Sequence, residues 1–165
     1  MGTISKLGFG GGCHWCTEAV FQALHGVEKV EQGWIASDVP FDNFSEGVVV
    51  DFDSSIISSD VLIEVHLLTH SSANEHSMRD KYRSAIYYFD QKDSPVLQES
   101  LARLSIENQS RYITKILPFR KFRLNAENQL NYYSKNKTAP FCQVYISPKL
   151  AVLRSRFAAK VRDDF

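Results

Sequence analysis

The sequence predicts a two-layer α+β sandwich, with helices covering one mixed sheet, on three observations. Strand-like and helix-like segments follow one another in the order βαββαβαβ, which sets split β-α-β units beside antiparallel pairing. A chain of 165 residues suits one domain that buries about two thirds of its unfolded surface. Its 44% hydrophobic and 23% charged content is that of a globular chain, not a disordered one.

Residues 4–9 form a short strand that runs into Gly10-Gly11-Gly12. Residues 15–24 carry Ala19, Val20, Ala23 and Leu24 at helical spacing behind an acidic first turn containing Glu18. Residues 27–34 and 47–53 read as strands, the second from Val48-Val49-Val50 and Phe52. The loop between them, 36–45, holds the turn formers Asp38, Pro40, Asp42 and Asn43. Ser59 or Asp60 caps a helix reaching His70, with Val61, Leu62, Val65 and Leu68 on one face. After a polar loop, residues 84–89 are a strand, 93–108 a helix with Pro95 in its first turn, and 113–117 a strand. The cluster Arg120-Lys121-Phe122-Arg123 reads as a solvated turn. Residues 125–134 are a short helix with Leu130 and Tyr133 on its apolar side. An irregular tail with Pro140 and Cys142 then leads to a last helix, 148–161.

Nineteen basic residues balance nineteen acidic ones, so no electrostatic footprint for nucleic acid or an anionic membrane is expected. No apolar run approaches the roughly 20 residues that span a bilayer. The N-terminus lacks the pattern of a secretory signal, which makes the cytoplasm the expected compartment. Three cysteines, Cys13, Cys16 and Cys142, are too few for a secreted disulfide framework and suit redox chemistry in a reducing compartment. A zinc site from these thiols and a histidine is disfavoured, because no second paired ligand motif follows.

The chemistry centres on Gly12-Cys13-His14-Trp15-Cys16. A glycine-rich turn delivers Cys13 to the start of a helix, where free backbone N–H groups and the macrodipole favour the thiolate. Glycines let the backbone approach whatever that thiolate attacks. Cys16 creates C-x-x-C spacing, so it is either a redox partner of Cys13 or a small apolar residue facing the core. His14 is either exposed beside the nucleophile or paired with its thiolate. Trp15 is either core packing or a substrate wall.

Gly12-Cys13-His14-Trp15 resembles the Gly-Cys-Phe-Trp signature of the A-class peptide methionine sulfoxide reductases. Gly26-Val27, Ser45-Glu46-Gly47-Val48, Tyr82-Arg83-Ser84-Ala85-Ile86-Tyr87 and Ala126-Glu127-Asn128 resemble family segments in the same order, over roughly residues 9–142. The resemblance implies a ferredoxin-like topology and a single catalytic domain over 1–165, with a reductase-like core at about 4–142 and an extension at 143–165. It also implies reduction of methionine-S-sulfoxide, free or peptide-bound, by a monomer without a cofactor. In that reading Cys13 attacks the sulfoxide sulfur, Glu46 protonates the departing oxygen and Tyr82 hydrogen-bonds it. A mobile tail brings Cys142 to resolve the sulfenic acid, and a thioredoxin-like reductant reopens the disulfide. Burial of Glu46 beside an apolar pocket is expected to keep its carboxyl protonated.

The chain departs from the family pattern at several positions. His14 stands where a phenylalanine lines the cage for the substrate methyl group with Trp15. Loop 36–45 has no tyrosine. Ser77 stands where an aspartate recognises the substrate backbone, with His76 and Asp80 close by. Cys16 stands where glycine is common, which leaves open whether Cys16 or Cys142 resolves Cys13. Two further readings stand beside the reductase: a C-x-x-C thiol–disulfide oxidoreductase, and a binding or redox-sensing module without turnover.

Overall fold

The computed structural model describes residues 3–74, 79 and 81–165. Its elements are β1 (Ile4–Gly10), α1 (His14–Gln22), β2 (Val27–Ala36), β3 (Ser45–Asp53), α2 (Ser59–Leu68), β4 (Ala85–Tyr88), α3 (Asp93–Glu107), β5 (Lys115–Pro118), β6 (Lys121–Leu124), α4 (Tyr132–Lys135) and α5 (Ser147–Arg156). The six strands make one mixed sheet in the order β5-β4-β1-β3-β2-β6, parallel only between β4 and β5. The α+β sandwich expected from the segment order is what the chain adopts.

Strand alternation divides the sheet into two faces. Leu7, Phe9, Val48, Val50, Phe52 and Ile86 point into the main core, where they meet Val20 and Phe21 of α1, Leu62 and Ile63 of α2, Leu97 and Leu104 of α3, and Leu150 and Leu153 of α5. The opposite face holds a smaller cluster of Ile35, Val49, Ala85 and Tyr87. Burying one such aliphatic or aromatic side chain contributes about 2 kcal/mol, so α1, placed against the centre of the sheet, is fixed by packing on most of its sides. Among the described residues no helix is long and apolar enough to cross a membrane.

Three expectations need correction. The basic cluster is not a turn: Lys121, Phe122 and Arg123 lie in β6, which pairs with β2 through Ile35↔Phe122 and Trp34↔Arg123, while Arg120 bonds Asp38 at 2.8 Å. Short, charged edge strands escape detection because one face is wet and the apolar alternation is only two residues long, Phe122 and the exposed Leu124. The first turn of α1 is not acidic. Glu18 sits on the second turn, is 1% exposed, and accepts N–H bonds from Asn131 (3.0 Å) and Tyr132 (3.2 Å). Nor does Cys142 lie in a mobile tail. It opens a π-helical turn, Cys142–Ile146, that continues directly into α5, and its side chain is wholly buried in the main core. That turn is held by Ile146, Leu150 and Leu153 packing on α1, a tertiary cause with no local signature.

Candidate active site

Strand register brings the site together. β1 ends at Gly10, opposite Gly47 of β3 and Ala85 of β4. A Cβ on Gly10 would stand 3.0 Å from the carbonyl oxygens of both Glu46 and Arg83, so only glycine lets these three strands close here. Gly11 adopts φ +154°, and a Cβ there would strike the His70 ring at 2.4 Å. The loop is clamped from below: His66 Nε2 meets the Gly10 carbonyl at 2.8 Å and Arg79 Nη1 donates to the Gly11 carbonyl at 2.8 Å.

Cys13 is the N-cap of α1, but its side chain makes no capping bond. The free first-turn donors are used otherwise. The Cys13 thiol is held below its ordinary value, first by a hydrogen bond from the Cys16 thiol and then by the backbone N–H groups of Trp15 and Cys16. Burial and the Glu46 charge oppose that shift. Cys16, 5% exposed, is pushed strongly upward by the same contact, by burial and by the neighbouring charge of Cys13; it also feels Cys142. Burial alone raises Cys142. The Cys16 thiol therefore donates toward Cys13, and Cys13 is the more readily ionised of the two. The three thiols are all free.

Glu46 accepts the His14 backbone N–H at 3.2 Å, so the residue following the nucleophile ties the carboxyl to the helix start. Glu46 is 6% exposed, yet its surroundings are not the apolar wall expected from sequence. Lys81 Nζ lies 3.5 Å from Oε2 and His14 Nε2 lies 3.5 Å from Oε1. Lys81 is itself raised, first by a hydrogen bond with Tyr82 and then by Glu46, which gathers Lys81, Tyr82 and Glu46 into one cluster. Lys81 was not singled out from sequence, although its place beside Tyr82 was a signal.

Neither reading of His14 survives. The residue is buried at 7% exposure, and its ring turns to the Gly33 carbonyl (3.1 Å), Asn125 (3.3 Å), Glu46 and the edge of Trp34. The ring that replaces the family's phenylalanine thus lies 3.5 Å from the Glu46 carboxyl. Trp15 stacks flat on Tyr132 at 3.9 Å and meets Phe141 edge-on at 5.3 Å, and its indole N–H is buried without a hydrogen-bond partner. Glu18 fixes Tyr132 from beneath, an anchor that sequence reading missed. Ser77, His76 and Asp80 lie outside the described residues.

An activated cysteine at a helix N-terminus, touching a second thiol and standing beside a buried carboxyl, defines a thiol-dependent oxidoreductase on an α+β scaffold. Comparison with known proteins narrows the class. Residues 5–161 match the family model described as peptide methionine sulfoxide reductase. The MsrA enzyme of Deinococcus radiodurans is 35% identical over 170 residues, covering 93% of this chain and 82% of the relative. Mxr1 of Saccharomyces cerevisiae in reduced form shares the fold at TM-score 0.73 and 20% identity, over 86% of this chain and 91% of its own. Mxr1 in complex with Trx2 aligns at TM-score 0.61 and 18% identity, over 76% of this chain and 83% of that one. The chain belongs to the peptide methionine sulfoxide reductase family and is an oxidoreductase that reduces methionine sulfoxide, which decides against the disulfide oxidoreductase and the module without turnover.

Proposed function

We propose that this chain reduces the S epimer of methionine sulfoxide, free or in a peptide, with Cys13 as nucleophile, Glu46 as proton donor and Cys16 as first resolving thiol. The carrying observation is the Cys13–Cys16 thiol contact at a helix start whose next N–H holds Glu46. The Cys13 thiolate attacks the sulfoxide sulfur, and the S–O oxygen passes to Cys13 as one proton, taken up from solvent by the Glu46 carboxyl, is handed on to it. Products are methionine and the Cys13 sulfenic acid. Tyr82, half-buried beside Lys81 and Glu46, donates its O–H to the oxygen as charge builds there. The Cys16 thiol then displaces the sulfenic hydroxyl as water, forming a Cys13–Cys16 disulfide.

Cys142 supports a second reading as the resolving thiol, but it would have to leave the core turn that buries it. A thioredoxin-like dithiol completes the cycle, supported by the fold shared with Mxr1 in complex with Trx2. Three free thiols, one of them activated, suit a cytoplasmic setting. The common core of α1 and α5 supports treating 1–165 as one catalytic unit, extension included.

The test is reduction of the two sulfoxide epimers with dithiothreitol. The parent converts the S epimer, and Cys13→Ser converts neither. No turnover by the parent, or equal turnover of both epimers, overturns the reading. A Cys142→Ser protein that forms no disulfide after one turnover removes Cys16 as resolver.

A further inference from the structure

Lys149 has no part in the reaction so far, yet it is badly placed for an ordinary surface lysine. It follows directly after Pro148, where the π-helical turn Cys142–Ile146 runs on into α5, far along the chain from Cys13. It is half-buried, and burial lowers it from its usual value. Among the described residues it makes no ion pair with a carboxylate. Instead its ammonium donates to the carbonyl of Thr69, the C-cap of α2, and lines a cavity of about 50 Å³ shared with Gly12, Cys13, Cys16 and His70.

The other groups facing this space do not supply a compensating charge. His66 is held far below its ordinary value by burial, and His70 is brought to about 4 by burial, with Arg79 and Lys149 adding to the shift, so both rings are neutral near pH 7. Glu46 adds a negative charge that opposes the Cys13 thiolate, and the buried Cys142 thiol opposes ionisation of Cys16. Lys149 acts in the other direction on the thiols, favouring the charged form of Cys16, while both sulfurs favour the charged form of Lys149.

We propose that Lys149 is a positioning residue for the reductase reaction, a cation lent by the C-terminal helix that balances the single negative charge of the Cys13–Cys16 pair on whichever sulfur holds it. In the first step that sulfur is Cys13, which becomes the sulfenic acid as the sulfoxide oxygen and one proton transfer to it. In the second it is Cys16, whose sulfur gains negative charge as its proton passes to the sulfenic hydroxyl, which leaves as water while the S–S bond forms. The inference rests on the reading of Cys13 as nucleophile and Cys16 as resolver.

Alkylation of Cys13 by iodoacetamide across pH 5–10 (about the range in which a cysteine titrates) tests it. The background is Cys16→Ser with Cys142→Ser, so that Cys13 alone reports. Lys149→Gln keeps a donor for the Thr69 carbonyl and removes the charge. It should raise the titration midpoint and slow alkylation at pH 7 by about tenfold, as expected for losing one nearby charge in a partly buried site. Lys149→Arg should restore the parent profile. A Lys149→Gln profile that superimposes on the parent, whatever happens to thermal stability, overturns the inference and leaves Lys149 as a cap of α2. This readout needs no turnover, so it stands apart from the nucleophile assignment, which fails separately if Cys13→Ser still makes methionine.

Discussion

Two groups of side chains meet at Cys13, and they are built on different physics. The first comes mainly from the sheet and its loops: Glu46 of β3, Lys81 and Tyr82 just before β4, joined by His14 at the start of α1. It is charged and reaches water through Lys81, whose side chain is 56% exposed. The second lies between helices: Cys16 of α1, His66 of α2 with His70 just past its end, and Lys149 of α5. Its histidines are neutral and its cavity is small. The contrast teaches that oxygen removal needs a proton resupplied from solvent every cycle. Resolution needs the reverse, because a sulfenic acid left open to oxidant climbs irreversibly to the sulfinic state.

Substitution of the carboxyl should break the first group and spare the second. Glu46→Gln keeps the shape and the bond from the His14 N–H but has no proton to give. Single-turnover methionine formation should fall by about 10²–10⁴, the usual worth of a general acid. Peroxide-driven closure of the Cys13–Cys16 disulfide should be nearly unchanged, read as loss of two titratable thiols. If both fall together, the two groups are one.

Acid should break the second group first. His70 titrates near 4 in the folded protein against 6.5 unfolded, so between those values the unfolded chain binds more protons and stability rises with pH. Lowering pH from 6.5 to about 4 should therefore cost on the order of 3 kcal/mol from this residue, with His66 adding to the loss in the same direction. Urea unfolding at several pH values measures the slope, and His70→Gln should flatten it. A parent slope that His70→Gln leaves intact would place the acid sensitivity elsewhere. A smaller effect separates resolution from reduction. Cys16→Ser should still yield one equivalent of methionine, then turn over roughly tenfold or more slowly with dithiothreitol, since an intramolecular thiol has the far higher effective concentration.

The first group was more legible in the sequence than the second, for physical reasons. The glycine run, the following helix and the strand of valines are local patterns, and Cys13, Glu46 and Tyr82 sit at their ends, where register must bring them together. The second group depends on chain segments far apart. Lys149 lies in the extension at 143–165, and nothing in Ser147-Pro148-Lys149 signals a cavity below it. Cys142 reads as a tail residue because a π-helical turn stabilised by tertiary packing carries no periodic signature. Glu18 reads as an acidic first turn, yet it anchors a segment more than a hundred residues downstream, where Asn131 in the left-handed region (φ 56°) was the local hint of a tight entry into α4.

The finest test lies inside the first group, between a donor to the substrate and a donor to the protein. Lys81 Nζ sits 5.1 Å from the Tyr82 ring centroid and also bonds with Tyr82 as it approaches Glu46. Tyr82→Phe leaves the ring, and with it the cation–π contact, and removes only the O–H. If that hydroxyl serves the sulfoxide oxygen, kcat/KM for the S epimer should drop about 3- to 10-fold, the worth of one neutral hydrogen bond. Lys81→Met should then do less, because an exposed ammonium is screened by water. If Tyr82 acts instead by holding Lys81 against Glu46, the two variants should lose equally and the double variant should lose no more than either. A double-variant cycle on kcat/KM decides between them, and near-additive losses are the expected result.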